Sequence, residues 1–186
     1  IDTANLSDPV LIREDGTYLY TLPSVIDDVD FGVSHVIRGE DHVVNTAVQI
    51  EITEALGGKV PSYAHHSLLT GADGKGLSKR LGSLSIGQMR WDGYEAMAVV
   101  SHAALLGTSD NIHPCTDYSE LVAGFDLHKL SRAPARFDEA ELQSLNAKLL
   151  HMTPFAAVQD RLQGQDEAFW LAVRGNISKL SETAQW

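Results

Sequence analysis

Between residues 34 and 69 the sequence alternates strand, helix and strand with short joins, and this constrains the fold more than any other feature. Ser34-His35-Val36-Ile37-Arg38 is a β-branched run closed by Gly39. Asp41 to Leu56 carries Val43, Val44, Ala47, Ile50 and Ala55 near one helical face and stops at Gly57-Gly58. Tyr63 to Leu69 reads as the next strand. A helix between two strands of one sheet implies a crossover, so the expected unit is a parallel βαβ, part of an α/β domain. In open sheets of that kind ligands bind beyond the carboxyl ends of the strands, here at Arg38-Gly39-Glu40-Asp41.

Upstream, Val10 to Arg13 and Tyr18 to Leu22 read as two strands around an Asp15-Gly16 turn, an expected hairpin. Downstream, Thr70-Gly71-Ala72-Asp73-Gly74-Lys75-Gly76 is a loop with little side-chain bulk, leading into Leu77-Ser78-Lys79-Arg80. Beyond it strands are expected to give way to helices over Tyr94 to Leu106, with Ala98, Val99, Ala103 and Leu106 packing, and then over 138–150, 155–162 and 167–180. Gly, Ser, Asp, Asn and Pro cluster at 107–114, which places a boundary between segments 1–107 and 108–186.

Composition narrows the function. An apolar fraction of 44 % suits a folded domain, and no run approaches the roughly 20 apolar residues of a membrane span. A net charge of −11 argues against binding phosphate backbones over the whole surface, so any nucleic-acid contact is local. The chain starts without Met or a signal peptide, which suggests residues upstream. A single cysteine, Cys115, excludes an internal disulfide and points to a reducing, cytoplasmic setting. His113-x-Cys115 has the spacing of half a metal site, but with no second pair near it in sequence a loop or core role is expected and no metal set is assigned.

Two segments carry chemistry. Lys79 and Arg80, adjacent cations after a glycine-rich loop, can close on a polyphosphate, although such a triplet is also common as a solvated basic turn. Arg38 can hold a carboxylate with two parallel bonds, or it can form a structural ion pair with Glu40 or Asp41.

Taken in order, Asp15-Gly16-Thr17 with Tyr20, Val25-Ile26-Asp27-Asp28, His35 to His42, Ala55-Leu56-Gly57 and Leu77-Ser78-Lys79-Arg80 resemble the glutamyl-tRNA synthetases, class I enzymes. Ala104-Leu105-Leu106-Gly107, Ala133 to Asp138 and Leu145-Asn146-Ala147-Lys148 extend the resemblance to about His151. The family's first signature, His-x-Gly-His, does not occur in this sequence, and His65-His66 is no substitute. Gly76 stands where the family's loop signature opens with Lys, with Lys75 one residue earlier, and Thr21 stands where a larger polar residue is common.

The resemblance implies the second half of a Rossmann-like parallel-sheet catalytic domain over 1–107 and a helical stem region over 108–186, leading toward an anticodon-binding part. It implies ATP with Mg²⁺, L-glutamate and tRNA(Glu) as substrates of the parent enzyme. Tyr20 and Arg38 would bind glutamate, and Leu68 and Leu69 would lie against adenine. Ser78, Lys79 and Arg80 would surround the ATP phosphates, with Lys79 and Arg80 catalytic, and Glu40 and Asp41 would face the ribose or the tRNA end. On this expectation the chain alone is inactive. The alternatives are a paralogue that glutamylates queuosine in tRNA(Asp), a glutaminyl-tRNA synthetase, and a non-catalytic tRNA- or partner-binding module. The helical run after Pro134 weighs against the first and the wording of the loop against the second.

Overall fold

In a computed structural model, which describes residues 8–71, 74, 76 and 85–186, the chain folds as two units, Ile1–Leu68 and Leu69–Trp186. The Asp15-Gly16 turn forms at the start of the first: Arg13 N–H donates to Thr17 C=O at 2.8 Å, Gly16 takes φ +84°, and Ile12 bridges Tyr18 antiparallel. The second hairpin strand expected over Tyr18 to Leu22 does not. Thr21 instead begins helix α1 (Thr21–Asp30). Pro23 in its first turn needs no N–H partner there, and Val25 is buried to 1 % exposure.

Strand β1 (His35–Gly39) leads through a single 3₁₀ turn (Glu40–His42) into helix α2 (Val43–Ala55), which returns the chain to strand β2 (Ser62–His66). The two strands are parallel, with His35 opposite Ser62 and Gly39 opposite His66, so the expected βαβ unit is present and α1 packs along its crossover helix. The face that α2 buries differs from the one expected. Thr46, Gln49 and Thr53 are buried, whereas Val43, Val44 and Ala55 are exposed. Arg38 at the end of β1 requires polar partners, and the helix turns the Gln49 amide and the Thr46 hydroxyl toward it, while the Thr53 hydroxyl donates back to the Gln49 backbone carbonyl.

In the second unit, strand β3 (Leu69–Thr70) pairs parallel with strand β4 (Ala135–Arg136), and Phe137 N–H donates to Thr70 C=O at 2.8 Å. The segment expected as one strand over 63–69 is therefore two, and strands do not end at the glycine-rich loop. Helices α3 (Ile86–Trp91), α4 (Ala96–Leu105), α5 (Tyr118–Gly124), α6 (Glu139–Met152) and α7 (Glu167–Val173) form the framework of the unit. On α4, Ala98, Ser101, His102 and Leu105 are buried, while Ala103, expected to pack, is exposed. The composition break at 107–114 falls inside this unit, where Ser109 N–H donates to Lys129 C=O and Ser131 N–H to Gly107 C=O.

Helix α6 is the unit's central support. Asp138 caps it by accepting from Ala140 N–H at 2.9 Å. Leu142, Leu145, Asn146, Leu149 and Leu150 repeat at helical spacing and are all buried. Leu142 and Leu149 pack with Met89, Tyr94 and Ala98, and Leu150 joins a second cluster with Trp170, Val173 and Ile177. Asn146 bridges the two regions, accepting from Glu95 N–H at 2.8 Å and donating to Ser178 C=O at 2.6 Å.

The helix expected over 155–162 is two 3₁₀ turns, Phe155–Ala157 and Gln159–Arg161. So short a segment has little helical stability of its own, and burial of Val158 and Leu162 sets its path. The helix expected over 167–180 stops as an α-helix at Val173, passes through a 3₁₀ turn at Arg174–Asn176, and becomes extended at Ile177. Gly175 and Asn176 favour helix poorly, and Ile177 is buried from extended backbone. The cap of α7 offers a direct test. Asp166 accepts from Phe169 N–H at 2.8 Å, so Asp166→Ala is expected to lower stability by about 1 kcal/mol. An unchanged urea midpoint in the 186-residue protein would contradict the cap.

Candidate functional site

The site assembles at the carboxyl end of β1, within the first unit. Arg38 Nη2 donates to Gln49 Oε1 at 2.5 Å and to Thr46 Oγ1 at 2.7 Å. Behind these, Gln49 Nε2 donates to Ser24 Oγ at 2.9 Å, and Ser24 Oγ donates to Thr21 C=O at 3.0 Å. Thus α1 and α2 both hold the guanidinium, through neutral groups alone. The guanidinium carbon also lies 5.5 Å from the centre of the Tyr63 ring on β2, close enough for a cation–π attraction.

The rest of the guanidinium is poorly satisfied. Among the described residues, Nη1 reaches only the Tyr20 hydroxyl, at 3.5 Å, and Nε is buried with no hydrogen-bond partner. No carboxylate among the described residues is within ion-pair distance of Arg38. The structural ion pair with Glu40 or Asp41 is absent, and Asp41 instead approaches His42 at 3.8 Å. Two titratable neighbours stay neutral. Burial, reinforced by the Arg38 charge, pushes the His65 imidazole below its ordinary range, so it stays neutral at neutral pH and shares a 2.9 Å hydrogen bond with Thr46 Oγ1. Burial, with Asp28 adding to it, pushes the Tyr63 phenol up and keeps it protonated. A fixed cation with spare N–H donors and no counter-ion can receive an anion bidentately.

Gly39 follows Arg38 at a point where an added side chain would displace the Asp41 carboxylate. A Cβ there would meet Asp41 Oδ1 at 2.5 Å and Leu68 Cδ2 at 3.0 Å. Glu40 and Asp41 occupy the 3₁₀ turn before α2, both exposed, at an N-terminus that favours acidic residues. The structure therefore brings Tyr20, Arg38, Glu40, Asp41 and Leu68 to one end of the βαβ unit. Leu69 opens the second unit, in β3, and is exposed to 44 %. Ser78, Lys79 and Arg80 lie outside the described residues.

A family model described as tRNA synthetases class I (E and Q), catalytic domain, matches residues 1–144. The chain belongs to this family. It is 56 % identical over 191 residues to glutamate–tRNA ligase 2 of Hyphomonas neptunium, covering 100 % of this chain and 43 % of that protein. It is 52 % identical over 192 residues to glutamate–tRNA ligase 1 of Brucella ovis, covering 100 % and 42 %. Among solved structures, the glutamate tRNA ligase from Elizabethkingia meningosepticum, in complex with its amino acid, superposes with a TM-score of 0.85 at 25 % identity, covering 100 % of this chain and 43 % of that one. The glutamate-tRNA synthetase from Elizabethkingia anophelis gives 0.82 at 26 % identity, covering 100 % and 44 %. The chain thus spans less than half the length of these relatives. Its fold is the second half of the Rossmann-like class I synthetase catalytic domain followed by a helical region.

Within this class I synthetase fold, the residues that sequence reasoning overlooked are Ser24, Thr46, Gln49 and His65, which position Arg38 or adjoin its partners. A signal for two of them was present. Thr46, Gln49 and Thr53 recur at helical spacing in a segment otherwise rich in apolar residues, which marks a second, polar face.

Proposed function

We propose that this chain supplies the glutamate-binding wall and the phosphate-closing loop of a glutamate–tRNA ligase. The observation that carries this reading is the Arg38 guanidinium, held by Gln49 and Thr46 without a carboxylate partner. In the full-length enzyme Arg38 and the Tyr20 hydroxyl receive a carboxylate of L-glutamate. Leu68 and Leu69 lie against the adenine of ATP, which enters as its Mg²⁺ complex. Glu40 and Asp41 face the ribose or the acceptor end of tRNA(Glu).

The reaction takes two steps. A carboxylate oxygen of glutamate attacks the α-phosphate of ATP in line and pyrophosphate leaves, with Lys79, Arg80 and Ser78 stabilising the charge that moves onto it. A hydroxyl of the terminal adenosine of tRNA then displaces AMP from the adenylate. Neither step needs a covalent enzyme nucleophile, so positioning and electrostatics carry the rate. Residues 1–107 serve the catalytic domain and 108–186 the stem leading to the anticodon-binding part. No helix among the described residues is long and apolar enough to cross a membrane, and the proposed setting is the cytoplasm.

The test is glutamate-dependent exchange of pyrophosphate into ATP, assayed with tRNA present. The full-length protein is expected to catalyse it. The 186-residue chain alone is not, because the His-x-Gly-His signature is absent from it. Robust exchange by the chain alone, or none by the full-length protein, would overturn the proposal.

A further inference from the structure

Far from Arg38 in sequence, three donors of different chemistry meet in the second unit. His113 Nε2 lies 3.6 Å from Cys115 Sγ and 3.4 Å from Glu120 Oε1, and all three ligand atoms fall within 4.8 Å of one another. We propose that His113, Cys115 and Glu120 form a tetrahedral site for a zinc-class divalent cation, with the fourth position open to water or an exogenous donor.

The spacing is the first argument. Zinc bonds of about 2.3 Å to sulfur, 2.0–2.1 Å to nitrogen and 2.0–2.2 Å to oxygen, at the tetrahedral angle, place sulfur about 3.5 Å from nitrogen and nitrogen about 3.4 Å from oxygen. The two distances observed are close to these edges. The same distances suit a thiol–imidazole hydrogen bond and a His–Glu pair, so the spacing shows that the three donors can meet on one ion, and the surroundings carry the rest of the argument.

The surroundings supply the second argument. His113 Nδ1 lies 2.9 Å from Asn111 C=O. A carbonyl can only accept, so Nδ1 carries a proton, and Nε2 is the nitrogen that faces the sulfur and the carboxylate and would hold a cation, the usual outer-shell arrangement of a metal-binding histidine. Cys115 N–H donates to the buried Ser101 Oγ at 3.1 Å, which fixes the backbone carrying the thiol. Asp117 caps α5 by accepting from Ser119 N–H at 2.7 Å, and this sets Glu120 on the first turn of that helix.

Charge and access agree. On binding a cation the Cys115 thiol releases its proton to solvent, so that a thiolate and a carboxylate together with the imidazole present two negative charges to the dication. Sulfur and imidazole select zinc-like ions over Mg²⁺ or Ca²⁺, which prefer oxygen donors. The three side chains also line a cavity of about 230 Å³ with Leu105, Leu121 and Phe125, so an ion can enter and an exogenous fourth ligand has room. Bound metal would clamp the 111–115 segment to the start of α5.

The experiment titrates Co²⁺ into the metal-free full-length protein, follows the visible bands of tetrahedral cobalt and the thiolate-to-cobalt charge-transfer band, and then displaces the cobalt with Zn²⁺. One equivalent is expected to depend on Cys115, with Cys115→Ser removing its charge-transfer intensity. His113→Ala and Glu120→Gln change half-exposed residues, so the fold is retained, as circular dichroism would verify. Each is expected to weaken binding by more than the roughly 10–100-fold typical of losing an outer-shell partner. A charge-transfer band identical in wild type and Cys115→Ser, or cobalt affinity unchanged by both His113→Ala and Glu120→Gln, would overturn the site.

Discussion

Lys79→Ala in the full-length enzyme is expected to slow glutamyl-adenylate formation about a hundredfold to a thousandfold, the usual effect of removing one preorganised donor at developing charge. On the proposed reaction, Lys79 meets the triphosphate mainly as negative charge shifts toward the departing pyrophosphate. Its stabilisation is then greater in the transition state than in the ground state, and kcat falls more than ATP binding does. The second step provides the control. Transfer from preformed adenylate to tRNA involves no triphosphate and should be nearly unaffected. Equal losses in both steps would indicate a folding defect, and adenylate formation within about twofold of wild type would return Ser78-Lys79-Arg80 to a solvated basic turn.

Arg38→Ala should act on glutamate instead. A carboxylate held by a guanidinium loses charge-assisted bonds worth about 1.5–3 kcal/mol, which raises KM for glutamate roughly ten- to 150-fold. The loss also removes the Arg38 donor from Gln49 Oε1 and Thr46 Oγ1, of which Thr46 keeps its bond to His65. Gln49→Leu separates anchoring from binding. It keeps the cation but removes one of the acceptors that hold Nη2, leaving Thr46 Oγ1, so KM should rise less than for Arg38→Ala while KM for ATP stays unchanged. Steady-state kinetics in all three substrates reads this directly. An unchanged KM for glutamate in Arg38→Ala would remove Arg38 from the pocket.

The βαβ unit was legible because its signals are local and agree: the β-branched pair Val36 and Ile37, glycine after the strand, and Gly57-Gly58 after the helix. Helix α6 was legible for the same reason, with an aspartate cap and leucines at helical spacing. Helix α1 was not, because Tyr18 to Leu22 follows an Asp-Gly turn and is rich in strand-favouring residues, while the helix signal, Pro23 with Val25 behind it, belongs to the following residues. The two-residue strand β4 depends on pairing with β3, a contact across more than sixty residues, as the Leu69 and Ala135 register shows. No local pattern encodes such a pair.

The candidate site divides in the same way. Arg38 and its neighbours carry the family resemblance and lie together at the end of β1. Their anchoring could not be deduced from apolar periodicity, since it runs through the buried polar face of α2. The cluster at His113 was half visible as His113-x-Cys115, but Glu120 is five residues beyond Cys115 and joins it only because α5 begins at Tyr118.

The central claim is that the full-length protein esterifies glutamate to the end of tRNA. Labelled glutamate, ATP and purified tRNA(Glu) and, in parallel, tRNA(Asp), followed by nuclease digestion and identification of the labelled nucleoside, test it most directly. The account predicts label on the terminal adenosine, dependent on ATP and lost with Arg38→Ala at low glutamate. Label on an internal modified base, or no label on any tRNA, would contradict it.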